Sequence, residues 1–426
     1  MNFKKRYKSH HDSTVFLKNK FTKNINTNQY LNELLDKNAE KDRAIYIHVP
    51  YCSKICSFCN LNTNLINNKI SDYHKLIIDS IKQISKYNYI QSKKFESIYF
   101  GGGTPTTLSS KQLKLILEAL NNYLPISKNA EISLETSITE LSKAKLEILA
   151  DKGVNRLSIG VQSFNDRARK ILGRRGNGKK AIEKIREVME MGFKNTNIDL
   201  IYNYPGQTIE EINYDLSLIN ELDIAGLSFY SLILHEGSKL FRQIKNAGKY
   251  QIPDLEKEKI LFKKIYGELQ NSGYKLFELT KMIKEKRDKY KYIQIKNNCG
   301  DVLALGVGAG GRLGQYIYYN GDYNILKQTN KPISTMGRVV RKEYNLIYKI
   351  LGDIQFGKLK FKYNSYELKN ILTNYFTKLK EEDLIIKRDN KFIFSEEGIF
   401  WGNNISRDIT KLIINYFEND QLKLYR

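Results

Sequence analysis

Between residues 44 and about 235, short apolar, β-branched runs alternate with longer stretches whose apolar positions recur at helical spacing. The runs AIYIHV (44–49), SIYF (97–100), EISL (131–134), RLSIGV (156–161), TNIDLIY (196–202) and GLSFYSL (226–232) read as strands. The intervening SDYHKLIIDSIKQI, SSKQLKLILEALNNYL, TELSKAKLEILADKG, NGKKAIEKIREVMEMG and TIEEINYDLSLINEL read as helices, several opening on a Ser, Thr or Asn that caps the first turn. Regular alternation of strand and helix implies parallel pairing through right-handed crossovers. The expected fold class is therefore α/β: a β/α barrel or open layer of about six units, with its chemistry at the C-terminal ends of the strands.

After about residue 240 the alternation stops. DLEKEKILFKKIYGELQNSG is helical, CGDVLALGVGAGGRLG (299–314) is glycine-rich, and from about 338 helices lead to a short hairpin, LIIKRDNKFIFSEEG, with Asp389 and Asn390 at its turn. The organisation this predicts is a basic N-terminal extension (1–43), a barrel core (44–240), a barrel extension carrying the glycine-rich segment (241–337) and a C-terminal helical or winged-helix-like domain (338–426).

Composition narrows the class. With 426 residues, 41% of them hydrophobic, the chain has enough apolar material for a large core. The first 24 residues are polar and basic with no apolar stretch of signal-peptide type, and no apolar run approaches a membrane span, so a cytoplasmic location is expected. The net charge of +24 is compatible with nucleic acid, anionic membrane or a polyanionic substrate, but the basic residues are interspersed with acids and form no stripe. Nucleic acid is not the expected main partner.

Four cysteines are too few for a disulfide scaffold, yet Cys52, Cys56 and Cys59 fall in one loop, YIHVPYCSKICSFCNLNT (46–63). Structural zinc takes four ligands, and the remaining cysteine, Cys299, lies far away with no histidine near it. A 4Fe-4S cubane with one iron left open takes three thiolates, and CxxxCxxC spacing lets one loop reach three corners; incidental core cysteines are the bland alternative. Other unusual side chains follow the predicted strands: Gly101 to Gly103 after the second, Glu135 at the third, Gln162 at the fourth and Asp199 at the fifth. Any one of these carboxylates alone reads as a surface ion pair, but their shared position reads as a site.

With Phe58 just before its third cysteine, the loop resembles that of the radical S-adenosylmethionine (SAM) superfamily, which implies a partial (β/α)6 barrel, a 4Fe-4S cluster and SAM bound at the open iron. An electron from the cluster then cleaves SAM to a 5′-deoxyadenosyl radical. The motifs YIHVPYC (46–52), GGGTPT (101–106), SLETS (133–137), SIGVQSFND (158–166), NIDLIYNYPGQT (197–208), SFYSLILHEGSKL (228–240) and FSEEGIFWGNNI (394–405) are similar to those of the oxygen-independent coproporphyrinogen III oxidase and heme chaperone group. That resemblance implies that Tyr46 packs by the cluster, that Cys52, Cys56 and Cys59 are the metal ligands, and that Gly102, Gly103, Thr104, Glu135, Gln162, Arg174 and Asp199 line the cofactor site. It also implies a heme or porphyrin substrate and a reductant such as flavodoxin or ferredoxin.

The chain departs from the group at two places. The oxidase's fourth nearby cysteine is replaced by Leu61, and the chaperone's late histidine by Gly310 in LALGVGAGG (303–311). The GAGG form resembles the heme-utilisation branch, similar to anaerobilin synthase. The expected activity is accordingly anaerobic methylation and opening of heme with release of iron; propionate decarboxylation of coproporphyrinogen, non-enzymatic heme carriage and nucleic-acid modification are the alternatives. Gly310 reads equally as a simple turn. His48 reads as a packed, hydrogen-bonded residue, and Cys299 and His235 as candidate axial heme ligands.

Overall fold

A computed structural model describes residues 3–423 except 10, 18–19, 62, 246–247, 249–253, 323–332, 335–336, 360–365 and 389–390. The six runs form parallel strands β1 (Arg43–Val49), β2 (Phe95–Gly102), β3 (Ile126–Ser137), β4 (Arg156–Gln162), β5 (Thr196–Tyr202) and β6 (Gly226–Ser231), paired in chain order. The helices between them are α1 (Ile70–Ile84), α2 (Ser110–Tyr123), α3 (Lys143–Asp151), α4 (Gly178–Glu190) and α5 (Ile209–Leu222). Local chemistry starts each of the last four: Ser109 and Thr208 form capping boxes with Gln112 and Glu211, and Ser142 and Asn177 accept from the first turns of α3 and α4.

The sheet does not end at these six strands. Beyond β6 come β7 (Lys275–Glu278) and β8 (Lys281–Ile283), antiparallel; beyond β1 come β9 (Asp301–Leu305), β10 (Gly310–Leu313), β11 (Tyr316–Tyr319) and β12 (Arg338–Val339). The order is β12-β11-β10-β9-β1-β2-β3-β4-β5-β6-β8-β7. The glycine-rich stretch thus contains a further parallel strand, β9, paired with β1 from Arg43↔Asp301 to Ile47↔Leu305, and a hairpin. A five-residue strand buried at every position has neither alternation nor length to announce it.

Alternation along each strand decides what faces where. On β1, Ile45, Ile47 and Val49 are fully buried in the main apolar core, while Ala44 and Tyr46 pack on the inner face with Tyr99 and Tyr292. The inner face is polar. Arg156 forks onto Asp288 through Nε (2.9 Å) and Nη2 (3.1 Å), Lys281 donates to Asn197 (2.9 Å), and the Arg156 guanidinium lies 4.0 Å over the Tyr290 ring. Burial opposes the Arg156 charge, and Asp288 more than offsets it, leaving the guanidinium above its ordinary pKa; burial and Arg156 together pull Lys281 down to about 8.

The C-terminal part is helical, with Lys342–Gln355, Tyr366–Glu381 and Gly402–Lys423, and carries a three-stranded sheet of Lys358–Leu359, Lys391–Phe394 and Ile385–Arg388. The expected hairpin is present; its Asp389–Asn390 turn lies outside the described residues. At the other end of the chain, Arg6 donates from Nε to Phe400 O (2.7 Å) and from Nη1 to Tyr202 Oη (3.1 Å), and pairs with Glu258; Lys8 pairs with Glu258 (2.9 Å) and donates to Leu232 O (3.0 Å). Tyr7 N donates to Asn404 Oδ1 (2.9 Å) and Asn404 Nδ2 to Lys5 O (2.7 Å). Among the described residues no helix is long and apolar enough to cross a membrane.

Removing one member of the Arg156–Asp288 pair leaves the other charge buried and unmatched. Asp288→Ala is expected to cost about 3–5 kcal/mol of stability, read as a lowered denaturation midpoint, with much of the loss recovered in an Arg156→Met, Asp288→Leu double variant.

Candidate functional site

The loop after β1 is pinned at both legs. Tyr51–Cys52 pairs in parallel with Asn64–Leu65, Asn64 N donates to Pro50 O (2.7 Å), and Ile66 N to Cys52 O (3.1 Å). Its middle is tied to the barrel: Ser57 N and Oγ donate to Leu172 O (3.1 Å) and Ile171 O (2.6 Å), and Leu240 N donates to Ser57 O (2.7 Å). Gly173 at φ +70° makes this approach possible, since a Cβ there would lie 2.8 Å from Ser57 N. The anchoring leaves Cys52, Cys56 and Cys59 half-buried, in no disulfide and facing one cavity of about 240 Å³.

Arg174 Nη1 donates to Cys56 Sγ (3.1 Å), Arg174 Nη2 donates to Gly160 O, and the buried Nε has no partner among the described residues. Cys52 Sγ lies 3.5 Å from Thr104 Oγ1. Burial pushes the Cys52 and Cys59 thiols up.

The opposite wall comes from strand ends. Glu135 accepts from Tyr99 Oη (2.6 Å) and Gly102 N (3.2 Å), and burial pushes its carboxyl up to about 7 despite both bonds. Burial likewise raises Asp199, against the pull of Lys281 and a Ser228 hydrogen bond. Gln162 reaches the cavity by strain: it sits at φ +72°, after a register shift between Gly160 and Gln162 against β5. A bulge of this kind re-aims one side chain at the end of a strand.

The glycines have a reason the sequence did not give. A Cβ on Gly102, at φ +113°, would lie 2.7 Å from His48 Cε1, and one on Gly103 would lie 2.6 Å from Tyr51 O. These positions are closed by the protein's own packing as well as lining the cavity. Phe58, Gly102, Gly103, Thr104, Glu135, Gln162, Arg174 and Asp199 all line the cavity of the three cysteines. Tyr46 does not.

Tyr46 belongs to a second cavity of about 530 Å³, walled mainly by tyrosines from β1, β2, the 290–292 segment, β11 and Lys342–Gln355. Tyr46, Tyr99 and Tyr292 stack, with ring centres 4.6 Å apart for Tyr99 and Tyr292 and 5.9 Å for Tyr46 and Tyr292; Tyr290 Oη lies 3.4 Å from Tyr99 Oη. Tyr46 Oη is 2.8 Å from His48 Nδ1, and burial pushes His48 down to about 4, so the imidazole is neutral near pH 7. Lys296 and Arg312 supply positive charge to this cavity, and Glu135 is a wall to both cavities.

Cys299 lines neither cavity; its Sγ lies 3.5 Å from Asn345 O. His235 is at a small cavity beside the cysteine loop, its Nδ1 3.0 Å from Asn60 Nδ2. Leu61 is 61% exposed at the rim of the cysteine cavity. Gly310 is backed by the Tyr319 ring, 3.4 Å from where a Cβ would stand. Sequence reasoning named Tyr46 but missed Tyr99, Tyr290 and Tyr292; the available signal was the inner-face parity that begins with Tyr46 and His48 on β1.

Among the described residues no three His, Cys, Asp or Glu side chains are placed to hold a single metal ion. Three thiols on one loop, with no fourth ligand beside them among the described residues, match the donor set of a cubane whose corners are separate irons. The two carboxylates and the unpartnered Arg174 Nε suit a ligand rich in hydroxyl, ammonium and carboxylate groups.

The sequence profile described as the Radical SAM superfamily matches residues 46–219. The heme chaperone HemW of Bacillus subtilis is 31% identical over 275 residues, covering 64% of this chain and 71% of that protein. HemW of Lactococcus lactis is 27% identical over 86% of this chain and 97% of its own length, and anaerobilin synthase of Escherichia coli O157:H7 is 24% identical over 89% and 87%. The structure of coproporphyrinogen III oxidase HemN from Escherichia coli, a radical SAM enzyme, superposes with a TM-score of 0.77 at 21% identity, covering 94% of this chain and 98% of that one. At that identity the likeness is one of fold.

Two outcomes are expected. Alanine at Cys52, Cys56 or Cys59 should each abolish iron and sulfide uptake on anaerobic reconstitution, measured by elemental analysis. The Glu135 carboxyl shifts from about 4.5 to about 7 on folding, so the folded state holds a proton the unfolded chain releases, and stability falls as pH rises through that window. Glu135→Gln should flatten that fall, seen in denaturation midpoints of the cofactor-free protein.

Proposed function

The chain belongs to the radical SAM superfamily, in its group of heme chaperones and oxygen-independent coproporphyrinogen III oxidases, and on that premise we propose that it is an enzyme that methylates heme and opens its ring without oxygen, releasing iron. The observation that carries this reading is the adjacency of the two cavities, which share Glu135 as a wall. One is lined with thiols, carboxylates and a guanidinium, and the other is aromatic, basic at two points and within the volume range that holds a sizeable organic ligand.

Cys52, Cys56 and Cys59 hold a 4Fe-4S cluster, and Gly102, Gly103, Thr104, Glu135, Gln162, Arg174 and Asp199 take SAM beside it. Bound there, cluster and SAM supply one-electron radical chemistry. The chain's own groups do the positioning. Arg174 donates to the Cys56 sulfur, and Glu135 and Asp199 accept from hydroxyl or ammonium groups. The Tyr46, Tyr99 and Tyr292 stack offers a flat wall to a macrocycle. Lys296 and Arg312 pair with propionates. Electrons come from a flavodoxin or ferredoxin type of donor.

Leu61, in place of a cysteine, and Gly310, in place of a histidine, favour this reaction over propionate decarboxylation and over heme carriage. The test is anaerobic reconstitution followed by SAM, reductant and either heme or coproporphyrinogen, with products followed by mass spectrometry. A methylated linear tetrapyrrole is expected. Loss of carboxyl groups from coproporphyrinogen would replace the reading with the oxidase, and unaltered heme handed to an acceptor, with no deoxyadenosine formed, would replace it with a carrier.

A further inference from the structure

His48 occupies a particular place on β1. It shares the inner face with Tyr46, at the level where β1 meets Gly101 of β2, and it lines the tyrosine-walled cavity. Three features hold its ring. Tyr46 Oη engages Nδ1 at 2.8 Å. Gly102, at φ +113°, lets the ring face lie where any Cβ would collide, 2.7 Å from Cε1 and 2.9 Å from each nitrogen, and Gly306, at φ +95°, packs against the His48 carbonyl, 2.5 Å from where its own Cβ would be. The second nitrogen, Nε2, makes no hydrogen bond among the described residues. The space before it is kept by Gly308, at φ +73°, whose Cβ would stand 4.0 Å from Nε2 and 3.4 Å from Tyr319 Oη.

A neutral imidazole fixed through Nδ1, with Nε2 turned to a cavity, is the arrangement by which proteins bind transition metals, the hydrogen bond made by one nitrogen leaving the other to ligate. The two other candidates named from sequence stand elsewhere: His235 is engaged with Asn60 beside the cysteine loop, and Cys299 lies outside the cavity. We propose that His48 Nε2 is the axial protein ligand to the iron of a heme held in the tyrosine-walled cavity, so that the site selects iron-bearing over metal-free tetrapyrroles. The inference rests on reading that cavity as a tetrapyrrole site. Only a dative bond forms: Tyr46 accepts from Nδ1–H, the Nε2 lone pair enters the iron's coordination sphere, and no electron is transferred.

The test uses the full-length, cluster-loaded protein under argon, titrated with ferric heme and separately with metal-free protoporphyrin. Wild type should give a nitrogen-ligated heme absorption and electron paramagnetic resonance signature. His48→Ala should lose that signature and bind heme about tenfold or more weakly, retain its affinity for protoporphyrin, and regain the signature on addition of imidazole. An unchanged signature in His48→Ala overturns the proposal, as does a phenolate-type signature in wild type that is lost in Tyr319→Phe, which assigns the bond to that oxygen instead. If neither compound binds wild type, the cavity is not a tetrapyrrole site, and the functional reading fails with the inference. Where His48→Ala does not fold, wild-type protein grown on ¹⁵N-histidine supplies the answer. Coupling of ¹⁵N to the iron that survives in His235→Ala supports the proposal, and its absence overturns it.

Discussion

The Glu135 carboxylate is the point on which the two halves of the site turn. One oxygen takes the Tyr99 phenol and so fixes the top of the aromatic stack; the other takes the Gly102 amide and so fixes the loop that faces the cysteines. Its burial makes the charge costly, which is why two donors converge on it and why its carboxyl still sits near neutrality. Any change at this residue is felt on both sides, because the same group is wall to both cavities.

A charged inner face is an expensive way to fill a barrel, and the structure shows how the cost is met. Arg156, Asp288 and Lys281 satisfy one another and the Tyr290 ring in the layers beneath the site, with Asn197 bridging to β5. Groups of this kind add little net stability over an apolar core. They keep the lumen polar and its side chains in one geometry, so that Glu135 and Asp199 above them are held without filling the space a ligand needs.

Much of this was legible in the sequence. Alternating runs announced six parallel strands, cap residues announced four helix starts, and the strand-end rule brought Gly102, Gly103, Glu135, Gln162 and Asp199 to one cavity with the cysteines. Arg174 was legible only through resemblance, since nothing local marks an arginine in a loop as facing a thiol. Two things were hidden. β9 lacks the alternation that reveals a strand because both its faces are covered, and so a seventh parallel strand read as a glycine-rich loop. The tyrosines of the second cavity come from segments far apart in the chain, and in a sequence holding 29 of them no single one stands out. Tyr46 was placed beside the cysteines by resemblance, but it lines the second cavity, where it meets Tyr292.

The amino-terminal segment bears on how the molecule is made. Lys5, Arg6 and Tyr7 bond to Phe400 and Asn404, partners 394 to 399 residues away. Closing so long a loop costs only about 0.6 kcal/mol more for each doubling of its length, so distance along the chain is no obstacle to equilibrium. It is an obstacle in time. A ribosome delivers every barrel strand and the cysteine loop before it delivers Phe400, so for that interval the nascent barrel exists with its mouth unfastened, and Lys5, Arg6 and Tyr7, made before the barrel, find their places after it.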